Sequence, residues 1–177
     1  MRQTRQLKTQ IGYFLLNRSK PIPVSRKSKH WKDVESIGIL YLADRESSTL
    51  IKKYAAKLRQ EGKKVIELGF YDQKELSFDV NFTLNSEYLH RQHIQWNGLP
   101  RNDSVPGYVQ EPFDILLNLY TGEILPLLWV SHHSKAQFRI GLYHQKSLPF
   151  FDMAIDAGAQ LDIEKYIQTL DHYIRKL

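Results

Sequence analysis

FDILLNLYTGEILPLLWVSHHSKAQFRIGLY, residues 113–143, decides the fold. An apolar, β-rich run, DILLNLY, meets a turn at Thr121-Gly122, continues as an apolar helix from about Ile124, and ends in a second strand, FRIGLY. Two strands joined through a helix run parallel, because only antiparallel neighbours can be linked by a tight hairpin. Parallel strands this apolar belong near the middle of a sheet covered by helices on both faces.

The flanking sequence extends the same pattern. Upstream, SIGILYLA at Ser36 to Ala43 predicts a buried strand, followed by a polar loop from Asp44 to Ser48. A helix follows, with Ser47, Ser48 or Thr49 available to cap it. Leu50, Ile51, Tyr54, Ala55 and Leu58 share one of its faces, Lys52, Lys53, Lys57 and Arg59 the other, and Gly62 suits its terminator. VIELGFY, residues 65–71, completes a second strand-helix-strand unit.

Residues 72–111 are less regular. LSFDVNFTL predicts a strand or a short helix, HIQW at 93–96 another short strand, and Asn97-Gly98, Leu99-Pro100 and Val105-Pro106-Gly107 are turns. An excursion of this length is functional or elaborates a sheet edge. Downstream, Phe151 to Ile155 predicts a last short strand. A closing helix carries Ile163, Tyr166, Ile167, Leu170, Tyr173, Ile174 and Leu177 at intervals of three and four, with Asp162 as its cap and Arg175-Lys176 at its end. The expected architecture is α/β, a Rossmann-like or flavodoxin-like three-layer sandwich. It has a mostly parallel sheet of about five strands over residues 33–177, preceded by a basic helical arm and linker over residues 1–32.

At 177 residues, with 42% hydrophobic and 25% charged side chains, the chain suits one globular α/β domain with an appendage. No apolar run approaches the roughly 18 residues of a transmembrane helix, and no secretory signal is visible, so a cytoplasmic location is expected. With no cysteine, disulfides, thiolate metal sites and cysteine nucleophiles are excluded. Charge is strongly divided: residues 1–32 hold nine Lys or Arg and no carboxylate, which leaves 16 basic against 19 acidic residues in the remainder.

That arm holds Arg2, Arg5, Lys8, Arg18, Lys20, Arg26, Lys27, Lys29 and Lys32, the candidate nucleic-acid contacts. Leu7, Ile11, Phe14 and Leu15 give its first part an amphipathic helical pattern, weakened by Gly12 and stopped by Pro21-Ile22-Pro23. A basic arm on a mildly acidic body suits a polyanion, either RNA or an anionic membrane surface. Alternatively, the first helix packs on the domain and the linker is a solvated tether; either way, removal of residues 1–32 is expected to leave the remaining fold intact.

In a parallel sheet, ligands favour the crevice beyond the carboxyl ends of the strands. The candidate ligand residues there are Asp44, Asp72, Thr121 and Tyr143, with Arg139 a further participant. The acidic ones are equally explained as helix caps. Neither a GxGxxG turn nor a Walker lysine motif follows the first strand, where ADRESSTL stands, so a cofactor held by a glycine loop is not expected. Adjacent His132 and His133 point about 100° apart on a helix, His90 and His93 lack a third partner, and no metal is expected. Ser131 and Ser134 beside His132 do not form a nucleophile elbow. Trp129 reads as core, whereas Trp31 and Trp96 sit in loop contexts suited to stacking on a base or a partner.

The 113–143 stretch resembles the N-terminal Rossmann-like half of heptosyltransferase-type glycosyltransferases, a likeness that implies a fold and carries over no catalytic residue. The whole chain resembles a family of small bacterial proteins known as a domain of unknown function. That resemblance rests on SIGILYLA, EGKKV, Trp96-Asn97-Gly98, EPFDILLNL, SKAQFRIGLY and FDMAID. It implies a cytoplasmic single domain. The leading functional expectation is a non-enzymatic module associated with RNA or a ribosomal particle through its arm. The alternatives are a small enzyme or a sugar-phosphate or nucleotide binder at the strand tips, and peripheral membrane attachment through the amphipathic helix.

Overall fold

The computed structural model describes residues 2–72, 85–156, 158 and 162–177. Six parallel strands form one sheet in the order β3-β2-β1-β4-β5-β6. They are β1 (Ser36–Leu42), β2 (Lys64–Tyr71), β3 (Ser86–His90), β4 (Ile115–Leu119), β5 (Phe138–Leu142) and β6 (Met153–Ile155). The α/β sandwich is as expected, with one strand more than the five or so anticipated. The addition is β3, SEYLH, an edge strand with only Leu89 buried, so it lacks the apolar run that marks the others. LSFDVNFTL lies outside the described residues.

The helices are α1 (Arg2–Arg18), α2 (Arg45–Gln60), α3 (Pro106–Gln110), α4 (Leu125–His133) and α5 (Ile163–Ile174). Alternation along each strand sorts the core into two layers. Ile37, Ile39 and Tyr41 of β1 with Ile115, Leu117 and Leu119 of β4 face α2 and α5. Leu40 of β1 and Leu116 of β4 face the other way, into the layer of α1, α3 and α4. α4 is apolar all round, and seven of its nine residues are buried. Such a helix is stable only when covered on both sides. The sheet covers one side, and α1 with Phe150 covers much of the other.

Local chemistry sets the ends. α2 begins one turn earlier than its serines suggested, because the Asp44 carboxylate accepts from the Ser47 backbone N–H at 2.7 Å and from Ser47 Oγ at 2.9 Å. It closes at Gly62, where φ is +83°. Asp162 caps α5 as expected, accepting from Lys165 N at 2.7 Å. HIQW is not a strand: Arg91–His93 form a 3-10 turn, and Ile94 makes a single bridge to Pro100 across the Asn97-Gly98 turn.

The leader is docked on the domain. Leu16 is fully buried among the residues of the α4 layer. Gly12 lies so close to its neighbours that a Cβ there would stand 2.3 Å from the Asn97 carbonyl oxygen and 2.6 Å from Leu125 Cδ2. The glycine that weakens the helix in sequence is what lets the helix approach. Beyond it, Lys29 Nζ reaches Asp114 at 2.5 Å, and the Lys27 backbone N–H donates to Gln137 O at 3.0 Å. Arg26 donates to the carbonyls of Ala136 and Ser134. Trp31 has Lys63 Nζ 5.0 Å and the Arg175 guanidinium 5.1 Å from its ring centroid, so its expected stacking partner is already supplied from within the chain.

Candidate functional site

The strand order reverses between β1 and β4: from β1 the chain moves one way to β2 and β3, then returns to β4 on the other side. At such a point the loops diverge and leave a crevice beyond the carboxyl ends of the strands. A cavity of about 880 Å³ lies there. Its floor is Leu42 and Phe70 at the ends of β1 and β2, and Thr121 after β4. Lys8 and Thr9 of α1 form one wall, Arg91, Gln95 and Trp96 another, and Leu125-Pro126 at the start of α4 a third. The docked leader is therefore part of the site, and Gly12 sets how closely that wall approaches the 94–100 loop.

The charges around this crevice differ in availability. Lys8 is exposed and has no carboxylate partner among the described residues. Arg91 is paired with Asp72, but both side chains are nearly half exposed, so the pair contributes little and Arg91 can turn to another anion. Glu123 is engaged from the outside by His144 Nε2 and Lys146 Nζ, each at 3.1 Å. Tyr13 of α1 lies beside that carboxylate. Burial first, and then the Glu123 charge, push its phenol well above the ordinary value, so it stays neutral.

The two helix N-termini near the tips are also unlike. That of α2 is closed by the Asp44 carboxylate, where a dinucleotide-binding fold would place phosphate. That of α4 has no side-chain cap, and its first residues line the crevice. It presents little to an anion all the same: Pro126 has no N–H, and the Leu127 and Leu128 N–H groups both donate to the Ile124 carbonyl at 3.0 Å. Among the described residues, the cations available to the site are Lys8 and Arg91. Phe70, Ile94 and Trp96, the last 64% exposed, supply apolar and flat surface.

Of the residues expected at the strand tips, Asp72 and Thr121 come together here. Asp44 serves as a cap. Arg139 sits level with Leu116 in the lower part of β5, away from the tips. It is buried and holds Asp152 through Nε at 2.9 Å and Nη2 at 3.0 Å, which explains it structurally. Tyr143 is exposed beyond β5 and does not line the crevice. Gln95 and Arg91 were missed, since only the long excursion and its turn dipeptides pointed to them. Lys8, a candidate nucleic-acid contact by sequence, stands instead in the crevice wall.

The arm's cations are divided as well. Arg26 and Lys29 are used in holding the leader, and the Arg18 guanidinium stands 5.0 Å over Phe14. Lys20, Lys27 and Lys32 are exposed without a carboxylate partner among the described residues. Arg2 and Arg5 belong to α1, and their side chains lie outside what is described.

The histidine pairs are tied to the fold. His132 Nε2 donates to Ser19 O at 3.1 Å, and His133 Nδ1 to Trp129 O at 2.9 Å. Burial lowers both below the usual imidazole value. His93 Nδ1 accepts from the His90 backbone N–H at 3.3 Å, and the two rings are 5.6 Å apart. Among the described residues no group of three side chains is placed to hold a metal ion.

Fold and crevice together define an α/β protein of the Rossmann-like class with an open site at its strand-order reversal. The chain belongs to the family of unknown function DUF6913, which matches residues 8–177. No curated protein and no solved structure matches it. Among the described residues no helix is long and apolar enough to cross a membrane.

Proposed function

We propose that the protein binds a small organic anion, a phosphate monoester or a carboxylate with a flat or apolar body, in the crevice between β1 and β4. The observation that carries this reading is the coincidence at one strand-order reversal of a cavity of about 880 Å³ with Lys8 and Arg91 at its walls and Thr121 at its floor. The anionic group is held between these cations, with Thr121 as a neutral hydrogen-bonding group. The body of the ligand lies on Phe70, Ile94 and Trp96. Among the described residues the crevice carboxylates are Asp72, which shares Arg91 with the ligand, and Glu123, which Lys146 engages at 3.1 Å.

Phenyl phosphate and benzoate test this with calorimetry on the full chain. Saturable binding of either, weakened roughly tenfold or more by Lys8→Ala, supports the reading, because a charge-assisted contact contributes about 1.5–3 kcal/mol. Heats that are absent, or unaltered in Lys8→Ala and Thr121→Val, contradict it.

A second reading, RNA binding by the leader, is favoured by the exposed Lys20, Lys27 and Lys32. It has fewer cations to draw on than the nine in sequence, so its salt dependence is correspondingly shallow. Filter retention of RNA by Lys20→Gln/Lys27→Gln/Lys32→Gln, unchanged from the parent chain, would dismiss it.

A further inference from the structure

α1 has two apolar faces, and the fold uses only one. Gly12, Tyr13 and Leu16 turn inward against α4 and the 94–100 loop. At 100° per residue, Leu7, Ile11, Phe14 and Leu15 lie on the opposite side of the same 17-residue helix. Leu7 is 58%, Phe14 57% and Leu15 42% exposed, and these are three of the seven large hydrophobic residues so exposed among those described. Core formation does not account for them. Their spacing of i, i+4, i+7 and i+8 is that of a face that lies against another surface.

We infer that this outward face of α1 docks the protein on an anionic lipid surface. Charge selects the occupant: residues 1–32 contain no carboxylate, and Arg18 and Lys20 flank the apolar stripe at its end. Exposed apolar side chains with Arg18 and Lys20 beside them, neither paired with a carboxylate among the described residues, are the composition of a helix lying in a bilayer interface, with its apolar side at the acyl boundary and its cations at the headgroups. A second copy of the same face would bring like charges together. RNA would use the cations and have no use for Leu7 and Leu15. Because α1 is held to the domain by its inner face, docking leaves the fold unchanged and presents the crevice wall beside the lipid surface.

The test is cosedimentation of the full chain with phosphatidylcholine vesicles, with and without phosphatidylglycerol. The chain is expected to pellet with the mixed vesicles, to remain in solution with phosphatidylcholine alone, and to be released by salt. Leu7→Ser/Phe14→Ser is expected to abolish pelleting with little change in Tm, since both side chains are exposed and Phe14 gives up an exposed stacking contact with Arg18. Arg18→Gln/Lys20→Gln is expected to weaken it roughly thirtyfold. The inference is overturned if the chain stays in solution with anionic vesicles, if the serine variant pellets like the parent, or if RNA is retained while vesicles are not. None of these results depends on ligand binding in the crevice, which calorimetry reads separately.

Discussion

Gly12 and Asp114 show how much a single position can decide. A methyl group at Gly12 meets a backbone carbonyl, which cannot rotate away, so Gly12→Ala forces α1 off the 94–100 loop despite alanine's better helix propensity. Thermal unfolding should show a loss of about 1–3 kcal/mol, where an ordinary helical glycine would show a gain. Asp114 is buried and joins three segments: it takes Lys29 at 2.5 Å and the backbone N–H groups of Glu35 and Ser36 at 2.8 and 3.0 Å. Burial alone would raise its pKa, but these partners outweigh burial and hold it below the ordinary carboxylate value. With a depressed folded value, its contribution is complete above about pH 4 and is lost as pH falls through that value. Asp114→Asn should cost about 1–3 kcal/mol at pH 7 and flatten the acid limb of the stability curve; a variant as stable as the parent at pH 7 would remove Asp114 from this role.

At the scale of elements, α1 and α4 depend on each other. With Leu125 to Ser131 buried on every face, α4 needs a cover, and Leu16 with the helix around it supplies one. Deleting residues 1–32 therefore should not leave the domain intact, contrary to the reading of the leader as a detachable arm. Losing the Leu16 burial and the Lys29 partner of Asp114 should cost about 3 kcal/mol or more, read as a fall in urea midpoint. A deletion that unfolds at the parent's midpoint would show the cover to be dispensable. The strands β1, β2, β4 and β5 and the helix α5 were legible because continuous apolar runs and three-four spacing are local signals. The edge strand β3 was not, because it has a single buried side chain; the Asp44 cap was legible as one reading of an acidic strand tip, beside serines three residues downstream that compete for the role.

For the whole molecule, the strand-tip rule found Asp72 and Thr121 in sequence, because it needs only the ends of predictable strands. Lys8, Arg91 and Gln95 reach the same crevice from α1 and from the excursion after β3, and no local pattern reports a meeting between segments more than 80 residues apart. The charge division was legible, but its use was not: the leader's cations are shared among docking, the crevice wall and the solvent face. Amide and indole NMR shifts of the full chain titrated with phenyl phosphate test the crevice most directly. The account predicts saturable, concerted shifts at Thr121, Gln95 and the Trp96 indole N–H. Shifts confined to Lys20, Lys27 and Lys32, rising without saturation, would contradict it.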